Sequence, residues 1–246
     1  MNKWMSIEHV CLDSNGKLRK SLFQLNNSKI EININCLEKY SNDGSIAAEN
    51  KIATLFESYR RREITPNQFI IGYYQYDESF TRKFLEKFEI FDTEFYIYFY
   101  KSNDILIGSI LSGLRAECLK FIQSKNLPFI DISDCLVKME NAPPGSKQSF
   151  ETVIENYEFN KDILWNLEKQ TYYKIERIVI VDDVISRGKA IYTLLRNLYN
   201  IGVITSATMI NANFIYCVEK RFSHLLAKKS SRLVNDDNQN AALISS

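Results

Sequence analysis

Residues 178–191 of this chain, IVIVDDVISRGKAI, carry its strongest fold signal. Four β-favouring apolar residues lead into two adjacent carboxylates, Asp182 and Asp183, and a short polar loop follows. Beyond the loop, apolar side chains recur at helical spacing, at Ile191, Leu194, Leu195 and Leu198. An unbroken apolar strand is typical of a parallel sheet that is covered on both faces. The pattern therefore predicts a strand, a loop and a helix, with both acids at the carboxyl end of the strand, where open α/β sheets bind ligands.

Upstream of this unit the sequence predicts further alternation of strands and helices, beginning near residue 94. Residues 95–100 are aromatic and strand-like, and residues 104–108 have the pattern of a buried strand. A small-residue loop is predicted at 109–113, then a helix, and then a strand at 128–133. Two more strands are predicted at 203–210 and 214–217. The fold class expected from these elements is α/β, with a mainly parallel sheet that is flanked by helices.

The first 93 residues are predicted to form an α+β cap or hood region. Asn15-Gly16 is a turn signal and residues 29–36 alternate apolar with polar side chains, so a hairpin or small sheet is expected. A helix is predicted from about residue 45, and the basic run at 60–62 fits a solvated helix end. The remaining boundaries are an α/β core at 94–219 and a polar tail at 220–246.

The composition argues against several classes of function. Net charge is +1 and hydrophobic content is 45%, which does not favour a nucleic-acid binder or a membrane-surface protein. No apolar stretch approaches the ~20 residues that span a bilayer, and no signal-peptide pattern is present. Five scattered cysteines and two distant histidines form no metal-binding spacing. We therefore expect a cytoplasmic protein with reduced cysteines and no metal site of its own.

The segment that begins at Asp182 resembles the phosphoribosyl-pyrophosphate (PRPP) motif of type I phosphoribosyltransferases. The orotate enzymes have the most similar form, in which Asp-Asp-Val-Ile is followed by Thr-Ala-Gly-Thr-Ala. The resemblance implies a glycosyltransferase-class enzyme of nucleotide metabolism that transfers ribose 5-phosphate from PRPP to a nucleobase-like acceptor and releases pyrophosphate. It implies that Asp182 and Asp183 are catalytic and hold the ribose. It also implies a site for the 5′-phosphate, formed by Ser186, Arg187, Gly188, Lys189 and Ala190.

The same resemblance implies two further parts of the site. The predicted loop at 109–113 looks like the pyrophosphate-binding loop of these enzymes, with members Ser109, Ile110, Leu111, Ser112 and Gly113 and with Arg115 as a cation. Lys147 lies in a polar stretch, 136–174, where the family has a mobile loop that closes over the site; an ordinary exposed connection is the alternative. Magnesium would be carried mainly by the pyrophosphate oxygens.

Two sequence features differ from the family pattern and keep a second function open. Arg187 and Lys189 stand where small or hydroxyl residues are usual, and Ser112 stands where orotate enzymes commonly have lysine. The alternative is a domain without turnover, which binds PRPP or a nucleotide as a sensor or as a component of a larger assembly, including a defence-related one. A homodimer is also open, as is a plain strand–turn–helix without a ligand. The sequence argues against a response-regulator receiver, because the acid pair of a receiver lies near the start of the domain, whereas here it stands at residues 182 and 183.

Overall fold

The computed structural model describes residues 18–25, 28–40, 51–139, 157–185 and 188–218. The strands are β1 (Leu18–Leu25), β2 (Ser28–Tyr40), β3 (Phe95–Phe99), β4 (Phe129–Asp131), β5 (Leu136–Lys138), β6 (Tyr157–Phe159), β7 (Trp165–Asn166), β8 (Thr171–Tyr172), β9 (Arg177–Ile185) and β10 (Met209–Val218). The helices are α1 (Lys51–Arg60), α2 (Pro66–Tyr74), α3 (Asp77–Lys87), α4 (Ile105–Ser124) and α5 (Lys189–Asn200), with a 3₁₀ turn at Lys161–Leu164.

The central sheet has the strand order β1-β2-β10-β9-β3-β4. The five strands from β2 to β4 in this order are all parallel, and β1 is antiparallel to β2 at one edge. The predicted α/β class with a mainly parallel sheet is therefore confirmed. So is the central strand at 178–181, which has a parallel neighbour on each side.

Helices cover both faces of the sheet. Alternate residues of each strand point to opposite sides, so each face has its own set of side chains on which helices pack. On β9, Ile178 and Ile180 pack in one core together with the apolar side of α5. Val179 and Val181 pack in the other core, which contains residues of α1, α2, α3 and α4. All four of these β9 side chains are at most 2% exposed. This burial on both faces explains why the strand lacks polar alternation.

The N-terminal region contributes directly to the central sheet. β1 and β2 form the expected hairpin, although the chain reverses between Leu25 and Ser28, and Asn15-Gly16 lies outside the described residues. β2 pairs with β10 over most of its length, and α1 and α3 both contact it. The predicted boundary at residue 93 therefore does not separate two sheets.

The strand predicted at 104–108 and the loop predicted at 109–113 are wrong, because both lie within α4. Asp104 is the N-cap, and its carboxylate accepts hydrogen bonds from the amides of Leu106 and Ile107, each at 3.0 Å. The helical spacing of buried residues runs through the whole segment, at Ile107, Leu111, Leu114, Cys118 and Ile122. A short apolar run is ambiguous between strand and helix, and here the cap and the longer period decide.

The two strands predicted at 203–210 and 214–217 are also corrected: β10 is one strand that begins at Met209. Asn211 and Asn213 interrupt its apolar pattern, which made the run look like two elements. Both asparagines accept hydrogen bonds from β2, Asn211 from Asn33 at 3.0 Å and Asn213 from Asn35 at 3.3 Å. Buried amides are tolerated in a core when they are hydrogen-bonded in this way.

The polar stretch 136–174, for which a mobile loop and an ordinary exposed connection are the predicted alternatives, contains short antiparallel pairs where it is described. β5 pairs with β6, and β7 pairs with β8. The Pro-Pro-Gly-Ser-Lys segment and Lys147 lie outside the described residues. Among the helices that are described, none combines the length and apolar character that crossing a membrane requires.

Candidate ligand site at the carboxyl edge of the sheet

The chain connections diverge between β3 and β9. From β3 the chain passes through α4 to β4 on one side, and from β9 it passes through α5 to β10 on the other. Such a topological switch point leaves a crevice at the carboxyl ends of the strands, and open α/β sheets bind ligands there.

The pairing register puts both acids at this crevice. On the β3 side the pairing ends with Phe99 opposite Val181, and the Tyr100 amide donates to the Val181 carbonyl at 2.9 Å. On the β10 side it continues to Ile185. Asp182 and Asp183 therefore lie just beyond the end of β3 while β10 still supports them.

The two acids point to opposite faces of the sheet, because they are adjacent residues of one strand. Asp182 follows Ile180 in the alternation, and its charge acts on the nearby tyrosines 98, 100 and 157. Asp183 follows Val181 and contacts Arg60 of α1. The resemblance gave both acids one role, but their surroundings differ.

Asp183 belongs to a buried charge cluster that also contains Arg60, Glu57 and Tyr216. Arg60 donates hydrogen bonds to the carboxylate Oδ2 of Asp183 and to the hydroxyl of Tyr216. That hydroxyl in turn donates to Glu57 Oε1 at 2.8 Å. Burial by itself lowers the pKa of Arg60, but Asp183, Tyr216 and Glu57 outweigh it and raise this pKa. Arg60 therefore remains a cation, and only 5% of Asp183 is exposed.

Arg60 is the functional candidate that the sequence did not reveal. The run at 60–62 was interpreted as a solvated helix end, and this is wrong for Arg60, whose side chain is 27% exposed and bonded to Asp183. Arg61 forms an ion pair with Glu57 at 3.4 Å, and Arg62 is exposed. The spacing of Glu57 and Arg60 predicts an ion pair within one helix. Nothing in the neighbouring sequence indicates that Arg60 also contacts Asp183, which lies 123 positions away.

Asp182 lies near tyrosine side chains, and burial and Asp183 raise its pKa more than Arg60 lowers it. Its carboxylate accepts a hydrogen bond from the Asp183 amide at 2.8 Å. Burial and the neighbouring charge of Asp183 raise the pKa of Asp182 well above the usual range of a carboxyl group. The rings of Tyr98 and Tyr100 meet edge to face at 4.7 Å. The Tyr100 hydroxyl is buried and has no hydrogen-bond partner within the described part of the chain.

The N-terminus of α5 completes this edge of the sheet. Gly188 is the N-cap residue at φ 67°, in the left-handed region that favours glycine, and it has no side chain with which to cap the helix. The first-turn amides are therefore donors at the positive end of the helix dipole, an arrangement suited to an anion. Lys189 begins the helix and Ala190 packs against the core. Ser186 and Arg187 lie outside the described residues.

The predicted pyrophosphate-binding residues do not form a loop, since 109–113 lie in the interior of α4. Interior helix amides are already bonded to carbonyls one turn earlier, so they cannot serve as the free donors of a loop. The Ser112 hydroxyl donates to the Gly108 carbonyl at 2.8 Å. Arg115 pairs with Asp131 at 2.5 Å. The loop that follows β3 consists of residues 100–104. It was not predicted as a candidate binding loop, because a strand was expected at 104–108 and the loop was placed after it.

Comparison with protein-family models and with curated proteins gives no match to this chain. Within the described ranges, no group of three or more His, Cys, Asp or Glu side chains could hold a metal ion. The donor set at the switch point fits Mg²⁺ only in part, because Arg60 engages Oδ2 of Asp183 and leaves Oδ1 of Asp183 and the carboxyl group of Asp182 for other contacts. A magnesium ion that is held mainly by phosphate oxygens and water needs no more than one or two carboxylates.

Proposed function

We propose that this chain is a type I phosphoribosyltransferase-like enzyme, which transfers ribose 5-phosphate from PRPP to a nucleobase-like acceptor and releases pyrophosphate. The observation that carries the proposal is the difference in strand length at the switch point: the pairing of β3 with β9 ends at Val181, and β9 continues with the acid pair. PRPP needs an anion site for its 5′-phosphate beside acceptors for its ribose hydroxyls. The start of α5 at Gly188 and the acid pair, which are close in sequence, would supply both.

The 5′-phosphate would bind the first-turn amides of α5 from Gly188 onward, with Lys189, Ala190 and the preceding Ser186 and Arg187 as the other proposed members. Lysine and arginine add positive charge, and guanidinium groups match phosphate geometry well. The ribose hydroxyls would donate to the carboxylates. Since Arg60 already fixes Asp183 through Oδ2, Oδ1 is the oxygen that we assign to a ribose hydroxyl.

In the proposed reaction a ring nitrogen of the acceptor forms a bond to the anomeric carbon while the bond from that carbon to pyrophosphate breaks. The electron pair leaves with the pyrophosphate oxygen, and magnesium, when bound, neutralises part of that charge. The ribose develops oxocarbenium character, which a fixed carboxylate stabilises. Asp183 supplies this negative charge, and Arg60 orients it. The loop at 100–104, which contains Lys101, is the segment nearest in the topology for the departing pyrophosphate.

One observation favours a second candidate function, a PRPP or nucleotide sensor without turnover. Arg60 neutralises Asp183, and the raised pKa of Asp182 reduces the negative charge on the second carboxyl. Less negative charge near the ribose means weaker stabilisation of an oxocarbenium transition state, although the ground-state ligand can still bind.

A screen of nucleobases with Mg²⁺ and PRPP, read by pyrophosphate release, tests the enzyme directly. Turnover with a base is expected, and Asp183→Asn should lower kcat far more than it weakens PRPP binding. Asp92→Asn, at an exposed position outside the site, is the matched control. Tight binding of PRPP without release of its pyrophosphate in the presence of any of the bases would decide for the sensor.

A further inference from the structure

A groove of about 860 Å³ lies between α2, α3 and α4, lined by residues other than those of the PRPP site proposed above. Its apolar walls include Ile70, Tyr73, Leu85, Leu106, Ile110 and Phe121. A groove of this size with apolar walls is a common form of docking site for an amphipathic helix.

The helix α2 supports the view that this face is covered by something else. Its sequence, PNQFIIGYY, is apolar on most sides. Only Phe69 is fully buried, whereas Tyr74, which lines the groove, is 73% exposed. Ile71, which does not line the groove, is 62% exposed. A helix that is apolar all round is normally covered on all sides, and clustered exposed apolar residues mark interaction surfaces.

Gly113 on α4 provides an independent observation. Glycine is unfavourable in a helix interior relative to alanine, and Gly113 lies near the middle of a long helix. A Cβ built at this position would meet nothing within 4 Å, so packing within the described chain does not require glycine here. Ser109, one turn earlier, lines the same groove. Two small side chains one turn apart allow another backbone to approach α4 closely.

The charges that line the groove are mainly negative. Asp77, Glu78, Glu86 and Glu117 contribute four carboxylates, of which Glu117 pairs with Lys120, a residue outside the lining, at 2.6 Å. The one cation among the lining residues is Arg82, which already pairs with Glu86 at 4.0 Å. Carboxylates around an apolar groove favour a positively charged partner and disfavour a negatively charged one.

We propose that this groove is the docking site for a basic amphipathic α-helix of a partner protein. An α-helix is about 10 Å across with its side chains, and apolar anchors at i, i+3 and i+4 suit an apolar groove between helices. Its lysines and arginines would flank those anchors and meet the carboxylates, and its backbone would pass closest to α4 at Ser109 and Gly113.

The test uses the full chain and two labelled peptides, one with leucines at helical spacing among lysines and one with glutamates in place of the lysines. Fluorescence anisotropy should give at least about tenfold tighter binding of the lysine peptide. Gly113→Trp should abolish this binding by filling the groove. Ser112→Trp, on the adjacent position outside the groove, should leave it unchanged. Equal binding of both peptides, or unaltered binding to Gly113→Trp, would overturn the proposal.

Two further measurements keep the result interpretable. Glu117→Lys should weaken the lysine peptide and strengthen the glutamate peptide; it covers the case in which Gly113→Trp fails to fold, and an unchanged preference would count against the proposal. Light scattering on the full chain without peptide tests for self-association. A dimer that Gly113→Trp converts to monomer would identify a second copy of this chain as the occupant and would overturn the partner helix.

Discussion

The guanidinium of Arg60, at the end of α1, donates a hydrogen bond to the carboxylate of Asp183 on β9. This contact joins the N-terminal helices to the strand that carries the acid pair. Behind it, Tyr216 of β10 links Arg60 to Glu57, so three elements fix one carboxylate. The proposed ribose contact at Asp183 depends on this arrangement, and its energetics can be measured separately from any activity.

Replacing Arg60 tests the ion pair. Arg60→Gln leaves Asp183 as an uncompensated buried charge, so we expect a loss of about 3 kcal/mol in the free energy of unfolding. Adding Asp183→Asn should recover part of this loss, because the buried charge is then removed. Urea unfolding of the two single variants and the double variant gives the coupling energy. Additive single effects would show that the contact contributes nothing to stability.

The raised pKa of Asp182 predicts a pH-dependent stability difference. The folded state holds this proton more tightly than the unfolded chain, so the contribution is favourable when Asp182 is protonated and is lost as pH rises above the ordinary carboxyl range towards the raised value. Asp182→Asn is neutral at every pH and also removes the repulsion with Asp183. We expect the variant to gain stability over the parent as pH rises from acidic to neutral, in thermal melts at several pH values. A constant difference would show that Asp182 titrates normally.

The start of α4 is tested by substitutions at Asp104. Asp104→Ala removes the cap of the Leu106 and Ile107 amides and should cost about 1 kcal/mol of stability. Asp104→Asn retains a capping oxygen and should cost much less. Chemical denaturation distinguishes the two. Equal losses of stability for both variants would show that the negative charge of Asp104, and not its capping hydrogen bonds, is responsible. The carboxylate of Asp104 also accepts a hydrogen bond from Tyr59 at 3.1 Å.

The sequence predicted those strands and helices whose hydrophobic spacing is set by their own residues. The continuous apolar run at 178–181 predicted β9, because a strand that is buried on both faces has no polar alternation. The helical spacing after Ile191 predicted α5, because a helix that is buried on one side repeats apolar residues every three or four positions. The run at 105–107 did not reveal its structure, since three apolar residues suit a strand as well as a helix. The sequence predicted two strands in place of β10 because Asn211 and Asn213 interrupt the apolar run. Their hydrogen-bond partners lie on β2 and, for Asn213, also at the backbone of Glu89, and all of these are distant in sequence.

The candidate site was predictable only in part, for the same reason. The position of Asp182 and Asp183 follows from the strand that precedes them. That the two acids point to opposite faces follows from their adjacency in one strand. The pairing of Arg60 with Asp183 depends on a contact between distant segments, and a motif that is continuous in sequence carries no information about it.

Hydrogen–deuterium exchange of the full chain with and without Mg²⁺ and PRPP tests the central claim most directly. The account predicts slower exchange in two segments that are distant in sequence, the loop at 100–104 after β3 and the start of α5 from Gly188 to Tyr192, with little change in α2 and α3. Amides that bind a phosphate or are covered by a ligand exchange more slowly because opening then requires ligand release. No protection at millimolar PRPP, or protection confined to other parts of the chain, would contradict a PRPP site at the β3–β9 switch point.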